Sequence, residues 1–111
     1  MKRGDVVLVR FPFSDYSTTK LRPALIISAN NEKEVSVAFI SSVIPVELER
    51  TDFLLTEDND DFIQTRLKKD SVFKMNKFAT LDKSIILGRL GVISKRLQEK
   101  LDERLRIALG L

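Results

Sequence analysis

An arginine followed by a proline, Arg22-Pro23, stands where a polar approach (Thr18, Thr19, Lys20, then Leu21) gives way to the apolar run Ala24, Leu25, Ile26, Ile27. Proline locks its own φ and restricts the residue before it, so the guanidinium is presented from a fixed place at the mouth of a buried strand. A planar cation of this kind stays charged and donates hydrogen bonds in a fork. Taken alone, the residue is equally well explained by a surface ion pair or a cap on a carbonyl. What the chain lacks narrows the remaining chemistry. It has no histidine and no cysteine. That excludes a Ser-His-Asp triad, a histidine general base, imidazole and thiolate metal ligands, and disulfides. An enzyme built from this sequence works with carboxylates, hydroxyls, Lys, Arg, Tyr16 or backbone amides.

The 111 residues fit a single domain spanning 1–111, and a hydrophobic content of 43% is enough for a real core. The net charge of +3 and pI of about 9.3 permit a nucleic-acid partner without demanding one. The opening MKRGDVVLVRFPF carries charges inside its short apolar run, unlike a signal peptide, and no apolar run approaches the ~20 residues needed to span a bilayer. A soluble, cytoplasmic protein is the simplest reading, with no membrane partner.

The elements that must position Arg22 follow from periodicity and punctuation. DVVLVRF, 5 to 11, reads as a strand that Pro12 ends, and PFSDYSTTKL, 12 to 21, as a polar loop. Residues 23 to 28 form a second strand whose unbroken apolar run implies burial on both faces. EVSVAFISS, 34 to 42, is a third, and one or two shorter strands surround Phe53, Leu54 and Leu55. The acidic segment 57 to 61 is expected to be a solvated loop and 62 to 67 a short helical turn. Segments 71 to 80 and 85 to 90 read as further strands. Leu97, Leu101, Leu105 and Leu109 recur every fourth residue, giving an amphipathic helix with Ser94 as N-cap, Gly110 as C′ residue and an Asp102–Arg106 pair on its surface. Strands followed by a helix, without βαβ alternation, predict a mainly β protein: a compact antiparallel barrel with a C-terminal helix packed on it.

The ordered set KRGDVVLV (2–9), RPALIIS (22–28), VAFISS (37–42), DSVFKMNKFATLDKS (70–84) and RIALGL (106–111) resembles the MazF/PemK family of toxins over nearly the whole chain. The stretch PFSDYSTTKLRPALIIS resembles a distinct branch of it. The resemblance implies an SH3-like barrel of the CcdB-like type, usually a homodimer. It implies a sequence-selective endoribonuclease that cuts single-stranded RNA with no metal and no cofactor, and a cognate antitoxin whose tail covers the active groove. Two other functions stay open on this fold: a toxin that binds a protein target such as gyrase, and a nuclease-dead barrel that only binds RNA or its antitoxin.

In such a nuclease the RNA's own 2′-hydroxyl attacks phosphorus, and the protein gathers the charge of the phosphorane. The resemblance makes Arg22 a catalytic residue, suited to charge stabilisation because arginine is so hard to deprotonate. It makes Ser41 the second catalytic residue, where the family commonly has threonine; alternation along the strand predicts that Ser42 faces the other way. The 12–21 loop, with Asp15, Tyr16, Thr18, Thr19 and Lys20, is expected to meet RNA, Tyr16 by stacking; Phe11 and Phe13 either stack on bases or pack in the core. The chain departs from the family twice. Ser17 stands where many members carry glutamate; nearby Asp15 is either a replacement proton acceptor or an Asx-turn residue. Ala79 stands where members often carry arginine, and Lys77, on the same strand face, either supplies the missing cation or is simply solvated.

Overall fold

Two apolar clusters lie on opposite faces of one sheet, and the strand that carries the Arg22-Pro23 step feeds both. The computed structural model describes residues 1–12 and 19–111. Phe13, Asp15, Tyr16, Ser17 and Thr18 lie outside the described residues, as do the side chains of Phe11 and Thr19. The chain runs through β1 (Asp5–Pro12), β2 (Thr19–Ser28), β3 (Glu34–Ser41), β4 (Asp52–Leu55), a 3₁₀ turn (Ile63–Thr65), β5 (Ser71–Asp82), a second 3₁₀ turn (Lys83–Ile85), β6 (Ile86–Val92) and α1 (Lys95–Leu109). The six strands form one sheet in the order β4-β5-β3-β2-β1-β6, with every neighbouring pair antiparallel.

Side-chain alternation explains the two clusters. Leu25 on β2, Ala38 and Ile40 on β3, and Phe73 and Met75 on β5 pack with Leu97 and Leu101 of the helix. The intervening residues Ala24 and Ile26, Val35 and Val37, and Val7 and Val9 form the second cluster on the other face. The unbroken apolar run of β2 is therefore buried on both sides, as its sequence predicts.

The helix is capped as expected. Ser94 Oγ accepts from the Leu97 N–H at 3.0 Å, and Gly110 turns left-handed at φ 72°. The Asp102–Arg106 pair is not made; Asp102 instead receives both terminal nitrogens of Arg3, at 2.5 and 3.2 Å, and the amide of Gln98. A bidentate guanidinium is a stronger partner than a side chain one turn away, and it ties the chain's start to its final helix.

The barrel closes without a β4–β6 ladder. Gly91 on β6 lies so close to the first 3₁₀ turn that a Cβ there would stand 2.4 Å from the Gln64 carbonyl oxygen and 2.5 Å from that of Thr65. The turn that follows one edge strand thus docks on the other edge strand, and only glycine permits the approach.

The acidic segment is not wholly solvated. Asp61 is buried and takes a two-point hydrogen bond from Arg96, Nε at 3.0 Å and Nη2 at 3.1 Å. The Arg96 guanidinium, more than the opposing desolvation, holds the Asp61 carboxyl below its ordinary value of 3.8. A carboxylate with a lowered folded pKa contributes stability above its unfolded value and loses it as pH falls through the folded one. Urea denaturation of Asp61→Asn should therefore show a loss of stability at neutral pH. The difference from wild type should shrink in acid, where Asp61 is protonated as well.

Candidate active site

The site opens where the β2–β3 ladder stops. Its last pair at this end is Ala24–Phe39. The Ile26 carbonyl turns toward the β1 side, where it accepts from the Gly4 N–H at 2.9 Å. Alternation then directs the backbone nitrogen of Pro23 toward β3. Proline has no hydrogen to give, so the ladder cannot continue. Two residues beyond the last pair on each strand come Arg22 and Ser41, which alternation places on the same face.

A cavity of about 590 Å³ occupies this end of the sheet. Its walls include Arg22 and Lys20 from β2, Ser41 and Ser42 from the end of β3, and Arg66, Lys68 and Lys69 from the segment leading to β5. Leu8, Pro23, Ile40, Leu67 and Leu90 make its apolar floor and sides. The described residues lining it supply five cations and no carboxylate. Like charges gathered in a concave, partly apolar site raise the local concentration of an anionic ligand.

Three of the candidates, Arg22, Ser41 and Lys20, come together in the lining of this one cavity. Ser42, expected on the opposite face, lines it too. The strand ends at Ser41, so alternation no longer governs the next residue, and both serines line the cavity. Ser41 Oγ accepts from the Val43 N–H at 3.1 Å. This fixes the hydroxyl oxygen while its own proton remains able to donate to a ligand. Lys77 is exposed on β5 and is not among the cavity residues. The neighbouring Thr80-Leu81-Asp82 segment does structural work: Thr80 bonds Ser36 at 3.0 Å, and Asp82 accepts from the Ser84 N–H at 2.8 Å.

The cations at 66–69 escaped the sequence reading. Their only signal was the basic run RLKK after a predicted turn. The turn itself is locked by Thr65, which is fully buried: its hydroxyl donates to the Phe62 carbonyl at 2.6 Å and accepts from the Leu67 N–H at 3.2 Å. Downstream, the Ser71 hydroxyl donates to the Lys69 carbonyl at 2.8 Å.

The protein is thus an antiparallel sheet with one C-terminal helix and a cationic, hydroxyl-bearing cavity at the end of its central strands. The family of PemK-like, MazF-like toxins of type II toxin-antitoxin systems matches residues 2–109, and the chain belongs to it. Among solved structures, the chain resembles an endoribonuclease in complex with its cognate antitoxin from a mycobacterial species, at 20% identity and a TM-score of 0.76, covering 100% of this chain and 96% of that one. It resembles the Mycobacterium tuberculosis toxin MazF-mt6 at 18% identity and a TM-score of 0.72, covering 96% and 97%. It also resembles a MazE-MazF structure from Deinococcus radiodurans at 18% identity and a TM-score of 0.75, covering 100% and 97%.

The Thr65 network yields a stability prediction. Thr65→Val keeps the shape and the bond from the residue-65 N–H to the Phe62 carbonyl, but removes the hydroxyl's bond to that carbonyl and the acceptor of the Leu67 N–H, a loss of about 1–3 kcal/mol. Chemical denaturation should register it.

Proposed function

We propose that this toxin is an endoribonuclease that cleaves single-stranded RNA through the RNA's own 2′-hydroxyl. The observation that carries the reading is the cavity in which Arg22 and two serines stand among five cations without a carboxylate. A polyanion is its natural occupant, and an RNA phosphate is the group that Arg22 and Ser41 suit. The 2′-oxygen bonds to phosphorus, the bond to the 5′-oxygen breaks, and a 2′,3′-cyclic phosphate and a 5′-hydroxyl result. Charge builds on the non-bridging oxygens in between. The Arg22 fork stabilises it, and Ser41 donates one neutral hydrogen bond. The 2′-proton passes to water or to Asp15, and the leaving 5′-oxygen takes its proton from solvent while Arg22 donates it a hydrogen bond.

The family, and the antitoxin bound in similar structures, support a cognate antitoxin as the physiological partner, and the family resemblance supports a second copy of the chain completing a homodimer. A cellular RNA substrate supports a cytoplasmic location. Among the described residues no helix is long and apolar enough to cross a membrane.

Arg22→Ala should retain its circular-dichroism spectrum and melting temperature while losing cleavage by about 10²–10³-fold. Arg22→Lys should rescue poorly, because the planar fork is gone. Ser41→Ala should slow cleavage by less than Arg22→Ala, since a neutral bond is weaker than a charge-assisted one. Full cleavage by folded Arg22→Ala would remove Arg22 from the mechanism.

Product analysis tests the reaction itself. Cleavage should survive EDTA and leave a 2′,3′-cyclic or 3′-phosphate and a 5′-hydroxyl by mass spectrometry. RNA with 2′-deoxy at the nucleotide 5′ to the cut should resist. A 5′-phosphate product, or cleavage of the deoxy substrate, refutes internal attack.

A further inference from the structure

Arg66 is the one non-glycine residue with positive φ among the described residues, at φ 61°. A left-handed arginine is conformationally costly, and glycine would relieve the cost. It begins a four-residue segment, Arg66-Leu67-Lys68-Lys69, in which all three cations are exposed and line the cavity that holds Arg22. None of them takes part in an ion pair among the described residues. The segment is nevertheless held firmly. Gly91 lets β6 sit against the Gln64 and Thr65 carbonyls, Thr65 bonds on both sides, and the Ser71 hydroxyl holds the Lys69 carbonyl. The left-handed backbone closes the 3₁₀ turn, the Arg66 N–H donating to the Ile63 carbonyl at 3.2 Å, but an arginine at a position that glycine fills more easily, beside two further cations on a rigid mount, is a cost that capping alone does not explain.

We propose that Arg66, Lys68 and Lys69 form a second backbone clamp that holds the phosphates flanking the scissile one. The proposal rests on the ribonuclease reading and adds to it a division of labour. Arg22 and Ser41 act on the reacting phosphate. The 66–69 segment fixes the register of the strand across the cavity, and Gly91 and Thr65 act as positioning residues behind it. Phosphate contacts of this kind supply affinity and register and carry no sequence information of their own. The left-handed Arg66 backbone is retained because its side chain is used.

Salt dependence tests the clamp. Binding of a mixed-sequence 2′-O-methyl RNA oligonucleotide, which cannot undergo internal attack, is followed by fluorescence anisotropy across a salt series. Each lost phosphate contact on a single strand should flatten the slope of log K against log salt by about 0.7. Lys68→Ala/Lys69→Ala should therefore flatten it by about 1.4, and the charge-reversed Lys68→Glu/Lys69→Glu by at least as much. On cleavable mixed-sequence RNA these variants should raise KM more than they lower kcat. Arg66→Gly should weaken binding while its melting temperature stays level or rises, an outcome that a merely structural arginine would not give. Gly91→Ala, if it folds, should weaken binding from a site that RNA never touches. A wild-type protein that cleaves RNA, together with lysine variants of unchanged salt slope and KM, overturns the clamp and leaves the nuclease standing. A wild-type protein that neither binds the oligonucleotide nor cleaves RNA overturns both.

Discussion

The double burial of β2 is the constraint on which the structure turns. A strand sunk between two clusters must keep its register, because a slip by one residue would exchange Leu25 with Ile26 and disrupt both faces together. That register fixes where Pro23 falls, and Pro23 fixes where the ladder to β3 stops. The opening beyond it is the cavity. The position of Arg22 is thus inherited from the core: apolar packing sets the strand, the strand sets the proline, and the proline leaves the guanidinium at the rim of a gap.

The same logic explains why the cavity tolerates so much positive charge. Two of its apolar wall residues, Ile40 and Leu67, are anchored in the helix-side cluster, so the wall does not depend on the cations for its shape. The charges arrive from two separate places in the chain, β2 and the segment before β5. Elsewhere the protein pairs its cations: Arg3 with Asp102, Arg89 with Asp5, Arg96 with Asp61.

Much of this was legible in the sequence. The helix and its caps followed from leucine spacing, Ser94 and Gly110, because capping is local chemistry. The strand run at 23–28 announced its two-sided burial through unbroken hydrophobicity. Arg22 and Ser41 stood out once the ordered motifs were seen together. Other features depended on geometry that no local pattern encodes. Ser42 joined the cavity because β3 ends one residue earlier than its serines suggest. Asp102 chose Arg3, almost the whole chain away, over a neighbour one turn along. Arg66, Lys68 and Lys69 read as ordinary surface charge, since only the docking of a turn against Gly91 brings them over the cavity.

The pairing of β1 with β6 has a temporal consequence. Among the described strands β1 comes first and β6, its neighbour on that side, comes last, and the cavity takes Leu90 from that later strand. Contacts of such long sequence separation form slowly and only after the intervening chain exists. A nascent chain that already displays Arg22 and Ser41 therefore has no finished cavity around them.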